Sequence, residues 1–338
     1  AVFAVAPAAW NARMLRYALL LLPLALAAGE DGDPTWTQKS ALPGVNRAPA
    51  WAKRPDALAR RLPLIDRFGQ YRHAEWPGKV ATVEDFLMQA RAEEAELRAA
   101  PARTGRTRFG GWADGPRLEA TGRFRVAKHQ DRWWWVDPEG ALFFSFGVTG
   151  VGGGSSTLID VPGRAGWFAD PPWLADPAAA ASPFLDPVTR IKGRTLATPL
   201  TEFDFYGWNR RLKLGDDPAV GIDLDHRRLA SWGFTTMGCW TRSEVYRAQR
   251  TPYTTYFIPA GRQLDGGLEH AGRVKDPWDP AFAQSLAAWR ARLRDDGTAA
   301  DPWCLGAFVQ NKMHWGLDAR DVGAAVAASP ADQPAKQA

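Results

Sequence analysis

The chain predicts an α/β fold built on a parallel sheet or barrel, and three observations lead there. Short apolar, strand-like runs recur near residues 142, 234, 254 and 305, with helical spacing or long connections between them, the β-then-α order of parallel sheets. The last run, Leu305 to Val309, has the length of a covered strand and stops abruptly at Gln310, Asn311, Lys312, His314 and Trp315. Parallel α/β folds place their sites at such carboxyl ends, although a core strand followed by an ordinary loop reads equally well from position alone. The third observation is a Pro-, Gly- and aromatic-rich excursion over 152–221, the kind of long loop that builds pockets in such folds.

In chain order, the first 28 residues read as a targeting segment. Arg13 and Arg16 form a basic region, Tyr17 to Leu24 an apolar one, and Ala25-Leu26-Ala27 a cleavage site, which makes Met14 the expected start. The apolar run is too short to span a bilayer. The chain is therefore expected to be secreted or periplasmic, with no membrane attachment after signal cleavage. Residues 29–60 lack periodicity and read as a linker. Thr82 and Asp85 form a helix-capping pair, and the helix runs towards Pro101. Leu118 to Val126 and Arg132 to Val136 read as strands of a meander, turned by Asp137-Pro-Glu-Gly140 into one continuous strand from Ala141 to Val148. Helical spacing returns at Asp223 to Ser231 and again at Phe282 to Leu293. These boundaries divide the chain into 1–28, 29–60, an N-terminal helix and meander over 61–140, and the main domain over 141–338.

Composition narrows the function. The 338 residues are 46% hydrophobic, enough for a substantial core, and the net charge of +5 is spread along the chain. No clustered basic face points to nucleic acid. Two cysteines, Cys239 and Cys304, give no disulfide framework, and five scattered histidines lack ligand spacing, so neither a metal nor any other cofactor is expected. Seventeen tryptophans stand out. Trp is common in cores, and it is also a flat platform for sugar rings.

Several blocks then resemble one family: Trp76-Pro-Gly-Lys79, Thr121-Gly-Arg-Phe-Arg-Val126, Trp134-Trp-Val-Asp-Pro-Glu-Gly140, Phe144-Ser-Phe-Gly-Val148, Trp232-Gly-Phe-Thr-Thr-Met-Gly238 and Phe308-Val-Gln-Asn311. In this order, from about residue 62 onward, they resemble the β-agarases of glycoside hydrolase family 50. The resemblance implies a (β/α)8 TIM barrel, a secreted enzyme, and retaining hydrolysis of β-linkages in a galactan polysaccharide such as agarose. It also implies an acid/base Glu directly after an Asn at the end of the fourth strand, and a nucleophile Glu at the end of the seventh.

Retaining hydrolysis needs two carboxyl groups about 5 to 5.5 Å apart, one to protonate the leaving oxygen and one to attack. Here the fourth-strand block reads Asn311-Lys312-Met313-His314-Trp315-Gly316, so Lys312 stands at the acid/base position. An ammonium with a pKa of about 10.4 is a poor proton donor near neutrality, and its charge disfavours an oxocarbenium-like transition state. Residues 141–338 also fall short of the roughly 250 of a complete barrel. Only about the first half is expected here, with the natural protein continuing past Ala338 and the nucleophile outside this chain. Little or no hydrolysis is expected. The resemblance makes Asn311 the expected contact to a sugar hydroxyl, with Trp240, Trp315, Trp208, His314 and Gln310 as substrate-binding candidates. A non-catalytic galactan-binding protein is the alternative. A third reading, Lys312 as a Schiff-base lysine for a carbonyl substrate, belongs to different chemistry.

Overall fold

The computed structural model describes residues 54–154, 156–162, 164–191, 194–264, 274–311, 313 and 319–338. The targeting segment and most of the linker therefore lie outside the described residues. In chain order the helices are α1 (Pro55–Ala59), α2 (Val83–Ala99), α3 (Pro172–Ala175), α4 (Phe205–Leu214), α5 (Pro218–Trp232), α6 (Ser243–Tyr246), α7 (Pro280–Asp295), α8 (Ala319–Ala328) and α9 (Pro334–Gln337). The strands are β1 (Arg125–His129), β2 (Arg132–Val136), β3 (Leu142–Phe143), β4 (Gly147–Val148), β5 (Thr157–Leu158), β6 (Leu185–Ile191), β7 (Arg194–Phe203), β8 (Thr236–Met237), β9 (Tyr253–Phe257) and β10 (Cys304–Val309).

The chain divides into two compact units, one of residues up to 85 with 156–209, the other of 86–155 with 210–338. In the first, the expected loop excursion is an ordered antiparallel sheet, with strand order β5-β7-β6. Its core is aromatic. Phe203, fully buried, lies 4.8 Å from both Trp173 and Phe205 between ring centroids. Asp66 ties the preceding turn by accepting from the Phe68 and Gln70 main-chain N–H groups, both at 2.9 Å.

The second unit holds two sheets. The meander β1-β2-β3 pairs antiparallel, with Val126 opposite Trp135 and Lys128 opposite Trp133. Its first strand starts at Arg125, later in the chain than the expected Leu118 to Val126 strand. Asp137, fully buried, makes the turn after β2 by accepting from the Glu139 and Ala141 N–H groups at 2.9 Å and from the Thr107 hydroxyl at 2.6 Å. Gly140 closes that turn at φ +88°, where L side chains are strained, and a Cβ there would collide with the Leu118 carbonyl.

The run from Ala141 to Val148 is not one strand. Leu142–Phe143 pairs with β2, whereas Gly147–Val148 pairs with β8, so the chain changes sheets across Phe144–Phe146. Thr235 pins the crossing: its hydroxyl donates to Phe144 O at 2.6 Å and accepts from Phe146 N–H at 2.9 Å. Gly147 must lack a side chain, because a Cβ would overlap the Thr236 carbonyl.

The second sheet is four-stranded, in the order β4-β8-β9-β10, with every neighbouring pair parallel and consecutive along the sheet. α5 lies between β4 and β8 in sequence, α6 between β8 and β9, α7 between β9 and β10, and α8 after β10. Each β-then-α repeat adds one strand to the same edge. One sheet face carries the core: Met237 and Tyr253 pack with Phe109, Leu229, Val245 and Trp303, and Tyr253 stacks on Tyr246 of α6 at 4.2 Å.

Helices α2, α4 and α5 are joined by ion pairs. Glu93 accepts from Lys213 Nζ at 2.9 Å and from Arg228 Nη2 at 2.8 Å. Asp225 takes a two-pronged Arg210 contact at 2.8 and 3.0 Å, the geometry that makes guanidinium–carboxylate bonds strong. Burial alone would raise the Glu93 carboxyl, but hydrogen bonds and charge from Arg228 and Lys213 outweigh it and lower its pKa to about 2. Among the described residues, no helix is long and apolar enough to cross a membrane.

Candidate functional site

Parallel pairing puts the carboxyl ends of β4, β8, β9 and β10 on one side of the sheet. There β8 leads into Gly238-Cys239-Trp240, β9 into Ile258-Pro259-Ala260, and β10 into Gln310-Asn311. None of these residues is a carboxylate. Trp240 and Asn311 follow strands separated by one neighbour, β9, which puts their strand ends about 10 Å apart at ordinary strand spacing.

Trp240 adopts a left-handed backbone, φ +62°, uncommon for a bulky residue and a mark of local constraint. The residue is 45% exposed, and its ring lies 6.0 Å from Tyr256 at a 41° tilt. Tyr256 sits opposite Phe308 in the β9–β10 register, and both are open to solvent. Tyr256 and Phe308 are additions that the sequence reading missed. The signal was present in the alternation along β9, where Tyr253 and Phe257 are buried and Tyr256, of opposite parity, is not.

The carboxyl end of β10 is held by its own residues. Gln310 is also left-handed, φ +62°; its N–H donates to Phe257 O at 2.6 Å, and its side-chain Oε1 accepts from Lys275 N–H at 3.5 Å. The Gln310 side chain thus braces the strand end. Asn311, next in the chain, is exposed. Lys312, His314 and Trp315 lie outside the described residues.

Trp208 requires correction as a sugar platform. It sits on α4 with only 3% of its surface exposed and packs edge-on against Phe184 at 5.2 Å. A stacking platform needs an open ring face, and this ring belongs to the core.

Of the two cysteines, Cys239 follows β8 at this end of the sheet, whereas Cys304 opens β10 at the opposite end. Burial pushes both Cys239 and Cys304 up, away from the reactive thiolate. His226 is fully enclosed. Its Nε2 contacts the Val245 carbonyl at 3.0 Å and its Nδ1 the Thr251 hydroxyl at 2.9 Å. A carbonyl can only accept, so Nε2 carries the proton and Nδ1 accepts from Thr251. Burial lowers the His226 pKa and keeps it neutral. Among the described residues, no group of three or more His, Cys, Asp or Glu side chains could hold a metal ion.

No family model matches the chain. Individual proteins do. A β-agarase B from Vibrio sp. (strain JT0107) is 31% identical over 289 residues, covering 79% of this chain and 30% of the relative. A β-agarase A from the same strain is 27% identical over 314 residues, covering 86% of this chain and 29% of the relative. The chain therefore spans less than a third of the length of these relatives. Among solved structures, the agarase AgWH50C superposes with a TM-score of 0.65 at 29% identity, covering 76% of this chain and 38% of that one. An exo-β-agarase superposes with a TM-score of 0.67 at 25% identity, covering 82% and 44%, and PfGH50B with 0.63 at 28%, covering 76% and 39%. Sequence and fold agree over the same large share of the chain, and it belongs with the agarase-like glycoside hydrolases of family 50.

Proposed function

We propose that this chain derives from a retaining agarase that cleaved β-linkages in a galactan polysaccharide, and that Lys312 at the acid/base position has silenced the chemistry. The observation that carries the reading is the end of β10, where Asn311 is presented to solvent immediately before a lysine. A Glu at position 312 would give the leaving oxygen a proton. Lysine holds its proton too tightly and adds positive charge where the transition state already develops it. The four consecutive parallel strands are the pattern of the first half of a (β/α)8 barrel, the architecture proposed for 141–338. Secretion through the segment ending near Ala27 fits an enzyme of an external polysaccharide.

A second reading is favoured by the aromatic face of Trp240, Tyr256 and Phe308. An open aromatic surface near an exposed amide can hold a sugar ring without cleaving it, which makes the chain a galactan-binding protein. His314 and Trp315 complete the proposed contact set.

The test is to incubate purified chain with agarose and with an aryl β-galactoside, and separately to measure retention on agarose beads. The first reading expects no turnover. Robust hydrolysis by the unaltered chain would refute the silencing by Lys312. Retention without turnover supports the second reading, and loss of retention in Trp240→Ala locates the contact.

A further inference from the structure

We propose that Asp276 is a positioning residue for the carboxyl end of β10, acting through Lys275 and Gln310 to set the direction of Asn311. The proposal rests on the reading of Asn311 as a sugar contact.

Asp276 lies in the connection from β9 to α7 and has no exposed surface. A buried carboxylate is costly unless its oxygens are filled, and here they are. Oδ1 accepts from Trp278 N–H at 2.9 Å, and Oδ2 accepts from Ala335 N–H at 2.9 Å and from Gln333 Nε2 at 2.5 Å. The donors come from two places: the loop itself, and the segment around α9 that follows β10 and α8. One carboxylate therefore ties the connection after β9 to the structure after β10. Arg262 reinforces the tie by donating to Asp332 Oδ2 at 2.9 Å and to Asp332 O at 3.0 Å.

The neighbouring residue carries this constraint to the strand end. Lys275 N–H makes a long contact to Gln310 Oε1 at 3.5 Å, Lys275 pairs with Gln263 across the loop, and its ammonium donates to Gly261 O at 2.7 Å. Asp276 N–H donates to Arg262 O at 2.9 Å. The Lys275 amide is thus held from both flanks as it meets Gln310. Gln310 in turn holds a left-handed backbone that ordinary residues avoid, with its N–H on Phe257 O. Left-handed geometry at residue 310 sets where the chain points at 311. If the loop were free, Gln310 could relax and Asn311 would turn with it.

The experiment uses the full chain carrying Asp276→Asn, whose amide nitrogen cannot accept. Residue-resolved hydrogen exchange follows the Gln310 amide against the β9–β10 ladder amide of Phe308, which has the same parity as Gln310 and faces β9. The expected result is at least a tenfold faster exchange at Gln310 with the ladder unchanged, and shifted Asn311 side-chain amide resonances. Unchanged exchange at Gln310, or a uniform rise across the ladder, would overturn the proposal, because a merely structural Asp276 loosens everything together. If Asp276→Asn does not fold, Gln333→Ala removes one donor and should give a smaller change in the same direction, confined to Gln310; no such confined change overturns the proposal. A titration with agaro-oligosaccharide separates the two readings. Absence of binding by the unaltered chain defeats the sugar-contact role of Asn311, while the exchange result still decides whether Asp276 positions it. Where the unaltered chain binds, Asp276→Asn should weaken affinity at least tenfold, and equal affinity counts against the proposal.

Discussion

Replacing Glu93 with glutamine tests the ion-pair clasp between α2, α4 and α5 at its centre. The three side chains that meet there are each less than a fifth exposed, so solvent screens them only partly. Moving the carboxyl pKa from 4.5 to about 2 corresponds to about 3 kcal/mol of preference for the charged form. Because the folded value is depressed, the contribution is complete above the unfolded pKa near 4.5 and disappears as pH falls through the folded value near 2. The substituted amide keeps the shape of the carboxylate but removes the Glu93 charge from Lys213 and leaves Arg228 the longer Asp225 contact at 3.4 Å. At pH 7, urea unfolding followed by tryptophan fluorescence should show the variant less stable by about 2 to 3 kcal/mol. At pH 3, where more than half of the native advantage is already lost, the gap should shrink to about 1 kcal/mol. A gap that stays constant between pH 7 and pH 3, or is below about 0.5 kcal/mol at pH 7, would refute the assignment of Glu93 as the charged centre.

Other expectations concern the core and the strand ends. His226 is buried neutral with a lowered pKa, so stability should be greatest above its unfolded pKa of about 6.5 and fall as pH drops below it; thermal melts at pH 7.5 and 5.5 should show this loss flattened in His226→Gln. Gly147→Ala forces a methyl group into the Thr236 carbonyl and should cost about 3 kcal/mol, read by urea midpoint, or abolish soluble expression. Trp208→Ala should destabilise by about 3 to 5 kcal/mol and leave agarose retention per folded molecule unchanged. Trp240→Ala, by contrast, should weaken retention about tenfold with little change in melting temperature.

The parallel strands were legible because each is a short apolar run with helical spacing beside it: β8, β9 and β10 fall where Phe234, Tyr253 and Leu305 signalled them. The α2 cap was equally readable. Thr82 Oγ1 accepts from Asp85 N–H at 3.2 Å, and Asp85 Oδ2 accepts from Thr82 N–H at 2.7 Å. Hydrophobicity alone could not show that the run at Ala141 to Val148 serves two sheets, since apolar residues suit either. The sheet of the first unit was hidden by proline. Pro187 lies on the edge strand β6, and Pro199 falls where the β6–β7 register is interrupted, the places where a missing N–H is tolerated. At the site, the sequence pointed to Trp240 and Asn311, both exposed just past strand ends, but it also put Trp208 among the sugar contacts, because composition counts tryptophans without telling which ring faces are covered.

The change of sheets at Phe144–Phe146 also bears on the order of assembly. β1, β2 and β3 are joined by contacts close in sequence and can form early. β4 follows β3 after only three residues, so a completed meander already restricts where β4 lies. Its partner β8, however, is separated by a connection of roughly 90 residues, and closing a flexible loop of that length costs roughly 4 kcal/mol of chain entropy. A β6–β7 hairpin formed first would shorten this connection, so the first parallel pairing of the second unit should then cost less chain entropy and be faster to find.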